Sequence, residues 1–364
     1  MKGNDESQEY QDSVQDNEQP QEEEQAQMKE KDKVLYVGID LGTSRSAISS
    51  GNGNREWIES YVGWPKDFIA EKVLGKPVLF GNEALENRLS LDVCRPLDRG
   101  VIRKGIEGSE KAVKEIIRHL IEQVHPDSNC SINAVVGVPA ESLNSNKLAI
   151  KDAVSGYVNS LMVVSEPFTI AYGADLLNHS LVIDIGAGTT DFCVMHGMIP
   201  SEDDQKTLFT AGDYIDEQLL NGLLQKFPGC KLNAYMARQF KEAHSFVGAL
   251  DEPVVVELSV NGKLVRQDIK EEMRRACESI VPPMVETVIE LVAKVEPEFQ
   301  EKVKKNIVLG GGGSLIRGLS SYLENQLGEY GNYYVRCVSD PLFGGADGAL
   351  KLAQDMPARY WESL

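Results

Sequence analysis

Residues 181–192 read LVIDIGAGTTDF, and residues 34–47 read VLYVGIDLGTSRSA. Each stretch runs through apolar residues into Ile-Asp, one further apolar residue, Gly, and small hydroxyl residues. An apolar β-rich run that ends in a Gly-containing turn predicts a strand and the loop after it. The phrase occurs twice, and each copy leads into a similar alternation of strand and helix signals. After the first copy come β-rich runs SAISS and EWIESY joined by GNGN at 51–54, a helical stretch at 108–124, the strand NAVVGVP at 133–139, a helix after Asn144 and the strand SLMVVS at 160–165. After the second come DFCVMHG, KTLFTAG at 206–212, helices near 214–226 and 234–246, a hairpin at 261–263, a helical stretch near 270–296 interrupted by Pro282 and Pro283, and a strand, tetraglycine and helix in KNIVLGGGGSLIRGLSSYL. Two halves with one opening imply an internal duplication on a mixed α/β pattern.

The chemistry of the phrase explains its repetition. A carboxylate at a strand end, followed by a turn of Gly and Ser or Thr, offers backbone N–H groups and hydroxyls to phosphate oxygens. Glycine matters there because a Cβ would hold the phosphates away. The carboxylate itself suits hydrated Mg²⁺. Two such loops facing each other make a phosphate clamp, with Asp40 and Asp184 flanking one metal ion through water.

Composition sets the outer bounds. The 364 residues are 42% hydrophobic and 26% charged, enough for a large core and two or more domains. A net charge of −19 argues against nucleic acid as a partner, since phosphate contacts need a basic face. No apolar run approaches the roughly 20 residues of a membrane span, so direct membrane insertion is not expected and the chain reads as cytoplasmic. Cys94, Cys130, Cys193, Cys230, Cys277 and Cys337 show no CxxC spacing and mostly sit in apolar segments, which predicts buried free thiols. Residues 1–32 hold eleven acids against three lysines and almost no apolar residue, the composition of a disordered acidic tail.

GIDLGTS, DIGAGTTD and IVLGGGGSLIRGL resemble the first phosphate loop, second phosphate loop and adenosine motif of the actin, Hsp70 and sugar kinase superfamily. VGWPKD (62–67), GVPA (137–140), VVSEPF (163–168), SFVG (245–248) and the closing YW (360–361) narrow the resemblance to bacterial actins, in particular those that form filaments along magnetosome chains. The resemblance covers residues 33–364 and implies an actin-like ATPase fold: two similar RNase H-like domains, 33–176 and 177–364, around a central nucleotide cleft, with the C-terminal segment packing back on the first domain. It also implies roles. Gly42, Thr43 and Ser44 would hold the phosphates from one side and Gly186, Gly188, Thr189 and Thr190 from the other. Gly311, Gly312 and Gly313 would pass under the base, Lys241 and Glu242 would reach base and ribose, and Gly212 would line the ribose side. Glu166, directly after a strand and before Pro167, would orient the water that attacks the γ-phosphate, with Asp184 and Asp191 beside it. The cofactors implied are ATP or ADP with Mg²⁺.

Three uses of ATP hydrolysis compete on such a fold: a small-molecule kinase, a chaperone and a filament. An Hsp70 needs a further peptide-binding domain, and a sugar kinase needs an Asp base and sugar-binding residues that no stretch here supplies. The resemblance therefore implies a homopolymeric filament that positions magnetosomes through adaptor proteins, with a cell-shape filament of the MreB kind as the alternative. The acidic tail would project from each subunit and repel neighbouring filaments, over a distance screened to about 10 Å at 0.1 M salt. Deletion of residues 1–32 is expected to increase filament bundling at low salt and to matter less at high salt. Light scattering of both proteins across a salt series checks this, and identical curves throughout would remove the tail's role.

Overall fold

The computed structural model describes residues 34–103, 108–125, 130–140 and 143–363. The acidic tail expected over residues 1–32 lies outside the described residues. Two sheets of matching topology carry the rest. The first is built from β1 (Val34–Leu41), β2 (Arg45–Ser50), β3 (Arg55–Glu59), β4 (Ser131–Val138) and β5 (Ser160–Ser165). The second is built from β6 (Asn178–Ile185), β7 (Thr190–His196), β8 (Gln205–Leu208), β9 (Ile307–Gly310) and β10 (Val335–Cys337).

In space the order is β3-β2-β1-β4-β5 in one sheet and β8-β7-β6-β9-β10 in the other, with the short strand Glu362–Ser363 pairing antiparallel at the β5 edge. Each sheet opens as an antiparallel meander and continues with two parallel strands reached by crossovers. Registers match as well: Asp40 sits opposite Gly137, and Asp184 sits opposite Gly310. The duplicated phrase therefore occupies the same position in both sheets. Its aspartates stand near the C-terminal ends of the two central strands, where open α/β sheets present ligand sites.

The local reasons are legible residue by residue. β1 and β6 have helices on their faces and read as near-continuous apolar runs, as strands of buried parallel pairing do. The GNGN turn lets β2 reverse into β3, with Gly53 at φ 92°. Helix α1 (Ser109–Val124) buries Val113, Ile116, Ile117, Leu120, Ile121 and Val124 along one stripe, each contributing about 1.5–3 kcal/mol relative to exposure. Helices α2 (Glu166–Gly173), α3 (Gly212–Lys226) and α4 (Ala234–His244) contribute to the wall of the cavity where the two sheets meet, and α5 (Gly344–Asp355) packs against α2 and β1.

Two expectations shift. Pro282 and Pro283 do not interrupt one helix; they lie in the first turn of a second helix, Val281–Lys294, which comes after Lys270–Glu278. Proline is tolerated there because the first-turn N–H groups have no intrahelical partner. The tetraglycine leads into a short 3₁₀ turn, Gly312–Leu315, and the α-helix starts only at Leu319, after Gly318 at φ 83°. Among the cysteines all six are free, but only Cys193, Cys230 and Cys277 are buried, while Cys337 is exposed.

Each half has its own core, and a third cluster is shared. Val135, Val164, Phe168 and Ile170 from the first half meet Val182, Cys193, Met195 and Val308 from the second, together with Ala349, Leu352 and Ala353 of α5. Small residues let α5 enter this seam. A Cβ at Gly348 would lie 1.8 Å from the Thr169 carbonyl oxygen, and one at Gly38 would lie 2.2 Å from the Ala346 carbonyl oxygen. The helix therefore rests directly on the backbones of α2 and β1. Gly348→Ala is expected to cost about 3 kcal/mol by overpacking, whereas Gly328→Ala, with open space around its Cβ, should be neutral. Urea unfolding of the two variants tests this contrast.

Candidate functional site

A cavity of about 380 Å³ opens where the ends of the two sheets face each other. Its wall includes Asp40, Gly42, Thr43 and Ser44 from the first phrase and Asp184, Gly186, Gly188 and Thr189 from the second. Glu166, Gly212, Lys241, Glu242, Gly311, Gly312 and Gly313 complete it. Residues far apart in the sequence thus converge on one space, since both central strands end there and α2, α3 and α4 begin or pass beside it.

The two loops are held tightly. In the first, Ser60 Oγ donates to the Gly42 carbonyl at 2.7 Å and Arg95 Nε to the Thr43 carbonyl at 2.9 Å. In the second, Gly186 N donates to Thr189 O at 2.9 Å, while Gly212 N and Asp213 N donate to the carbonyls of Gly186 and Ala187 at 3.1 and 2.7 Å. The loops also approach one another: a Cβ at Gly188 would stand 2.6 Å from Thr43 Oγ1. Gly311, at φ 68°, passes so near the second aspartate that a Cβ there would lie 2.2 Å from Asp184 Oδ1.

Charge is the site's most marked feature. Burial raises the Asp40 carboxyl to about 6. Burial, then the charges of Asp40 and Asp191, push Asp184 well above the ordinary carboxylate range. Burial, then Asp40, Asp184 and Asp191, do the same to Glu166. Glu166 Oε1 is buried with no hydrogen-bond partner among the described residues. Such a set is short of positive charge. A divalent cation with its water shell fits it, since waters can donate to Glu166 and the ion can compensate Asp40 and Asp184. Among the described residues no three acidic, His or Cys side chains are grouped so as to hold a metal ion.

Several sequence expectations are redirected. Thr190 does not line the cavity; it is fully buried, and its Oγ1 donates to the Thr210 carbonyl at 2.9 Å. Asp191 is also absent from the wall. Its Oδ1 accepts from Ala140 N at 3.0 Å and from Thr207 Oγ1, so its contacts join the two halves beneath the cavity. Lys241 lines the cavity, but its Nζ is 2.8 Å from Asp216 Oδ1 and donates to the Gly212 carbonyl at 2.8 Å. Glu242 accepts from Arg238 Nε at 2.9 Å. Their charges are thus met within the protein, leaving the Lys241 stem and the Glu242 edge toward the cavity.

Arg238, Asp216, Asp213 and Ser245 are wall residues that the sequence motifs did not single out. A signal existed for part of this set: 238, 241, 242 and 245 have the i, i+3, i+4, i+7 spacing of one helical face. Asp216 had no such signal, because its partner Lys241 comes from the next helix.

Comparison with known proteins points the same way. The family described as MreB/Mbl protein matches residues 35–359. Actin-like protein MamK of Magnetospirillum gryphiswaldense MSR-1 is 42% identical over 330 residues, covering 91% of this chain and 92% of that one. The structure of a MamK double helical filament superposes with a TM-score of 0.87 at 41% identity, over 89% of this chain and 100% of that one. A non-polymerising MamK mutant bound to AMPPNP gives 0.70 at 40% identity, again over 89% and 100%. With equal coverage, the overall arrangement of this chain is nearer the filament subunit.

The carboxylates with raised folded-state values bind more protons when folded than when unfolded. Their effect on the ligand-free protein is therefore absent below about pH 4 and increasingly destabilising above it, complete for Asp40 once pH has passed about 6 and still growing there for Asp184 and Glu166. Glu166→Gln is expected to raise the melting temperature of the ligand-free protein at pH 7 by about 2 °C or more, with the difference shrinking toward about pH 4.5. Thermal melts at the two pH values check the sign.

Proposed function

The chain belongs to the MreB/Mbl protein family, and from that premise we propose that it is an actin-like filament protein whose assembly is governed by ATP bound with Mg²⁺ between its two halves. The observation that carries the reading is the convergence of two copies of one glycine-rich loop on a single cavity floored by Asp40, Asp184 and Glu166. Polyphosphate chemistry needs that combination of N–H groups and compensated charge. The likeness to MamK filaments supports self-assembly as the use to which the nucleotide is put. On this reading residues 33–176 and 177–364 are the two domains of the clamp, and the filament organises magnetosomes through adaptor proteins.

The lining of the cavity supports a division of labour. Backbone N–H groups of residues 42–44 and 187–189 bind the phosphates from opposite sides, the Gly186 N–H being used within its own loop. Gly311–Gly313 give the base a surface without side chains, and Lys241 and Glu242 flank it. Mg²⁺, held through water by Asp40 and Asp184, supplies charge neutralisation for the triphosphate. Glu166 orients the attacking water and accepts its hydrogen bond; compensation of the neighbouring carboxylates removes the part of its upward shift that comes from their charge, while burial still raises it. Closing the halves on the nucleotide excludes other water and favours one arrangement of the chain, so loss of the γ-phosphate relaxes the conformation that subunit contacts select.

Glu166→Ala leaves both loops and the base surface intact. ATP binding and assembly are therefore expected to persist while hydrolysis falls about 10²-fold or more, giving filaments that outlast those of the wild type. Parallel records of phosphate release and light scattering test this. Phosphate release at the wild-type rate would remove Glu166 from its role. Absence of both nucleotide binding and assembly in the wild-type protein would overturn the function itself.

A further inference from the structure

Two ion pairs cross from one half of the chain to the other at the cavity mouth. Glu59 ends β3, and its Oε2 accepts from Arg238 Nη2 on α4 at 2.6 Å. Both side chains are nearly buried, at 9% and 11% exposure. Around them Arg45 Nη2 lies 4.0 Å from Glu59 Oε1, and Glu242 Oε1 accepts from Arg238 Nε at 2.9 Å. The cluster thus holds two cations and two anions, one of each from either half.

Arg95 makes the second crossing. Its Nη2 is 2.9 Å from Asp213 Oδ2 while its Nε donates to the Thr43 carbonyl in the first glycine-rich loop. Asp213 N donates in turn to the Ala187 carbonyl in the second loop. One guanidinium therefore sets the spacing of the two loops, using the fixed fork of arginine on two acceptors at once. Neither Glu59 nor Arg95 lines the cavity.

We propose that Glu59–Arg238 and Arg95–Asp213 form a latch across the cavity mouth, and that Glu59 and Arg95 are positioning residues that set how long a nucleotide stays bound. The inference rests on the proposed nucleotide-binding function. A ligand enclosed between the halves leaves only when they separate, and separation breaks both pairs. Their strength therefore enters the dissociation rate, as it does for buried charge pairs at interfaces. Ion pairs within one element, such as Arg274 with Glu271 and Glu278 on a single helix, do not resist separation and have no such effect.

The test is stopped-flow release of a fluorescent ADP analogue, loaded with Mg²⁺ on the full chain and chased with excess unlabelled nucleotide. Glu59→Gln and Arg95→Gln are each expected to speed release at least about tenfold. Arg95→Lys keeps the charge but cannot hold Thr43 O and Asp213 together, so its rate should fall between. Arg274→Gln, which removes one charge from ion pairs confined to a single helix, should release at the wild-type rate. Circular dichroism establishes that each variant is folded, and Arg95→Lys carries the test if either Gln variant is not. Wild-type release rates in the folded latch variants, or equal acceleration by Arg274→Gln, would overturn the latch. A wild-type chain that takes up no nucleotide would instead overturn the function on which the latch rests.

Discussion

The site depends first on a contact between backbones. Helix α5 lies directly against β1 and α2, because Gly38, Gly173, Gly345 and Gly348 carry no side chain to hold the chains apart. β1 ends in the first aspartate and the leucine after it, and α2 begins with Glu166. A Cβ at Gly345 would stand 2.6 Å from Asp40 Oδ2, so the same helix also borders the carboxylate. Contact at this distance leaves little room for the parts to slide, since packed interiors answer strain by discrete rearrangement rather than gradual drift. The two acids are thereby fixed relative to each other by elements far apart in sequence.

That rigidity is necessary because the acids oppose one another. Burial raises Asp40, and burial followed by the charges of neighbouring acids raises Asp184 and Glu166, a configuration that costs the ligand-free fold stability. Elsewhere in the molecule the opposite holds: acids near the mouth are matched by Arg238, Arg95 and Lys241. The cavity floor is short of cations while its rim is balanced. This distribution suits a cation-bearing polyphosphate on the floor, and it lets the rim hold the halves together around it. Preorganised charge of this kind is the usual origin of transition-state stabilisation.

The matching of the two sheets clarifies how the halves divided their roles. Both retain the meander, the aspartate and the small residue opposite it in the neighbouring parallel strand, Gly137 or Gly310. They differ in what is inserted. The first half adds a small three-stranded sheet with short helices between residues 62 and 94. The second adds α3, α4, Lys270–Glu278 and the hairpin over 255–268. The inserted parts of the second half supply Asp213 and Arg238, while Arg95 directly follows the small sheet of the first half and Glu59 ends its meander, so each crossing has at least one partner that the duplication did not share.

Except for the edge strand β10, the strands of both sheets, the meander turns, the helix over 109–124 and the convergence of two Asp-x-Gly loops were legible in the sequence. These rest on local signals: apolar runs, turn residues, helical spacing and a phrase written twice. Glu166 was legible too, because a strand followed by Glu-Pro marks a helix start. Contacts between elements were not. Thr190 and Asp191 belong to the same motif as Thr189, yet their side chains are taken up by bonds to Thr210, Ala140 and Thr207 rather than lining the cavity. Nothing local tells Lys241 that Asp216 neutralises it, or Glu59 that Arg238 will face it across 179 positions. The sequence by itself determined the two halves and the ends of strands where chemistry would sit. Tertiary structure alone decided which charges meet, because ion pairing depends on separations in space that only the packed chain defines.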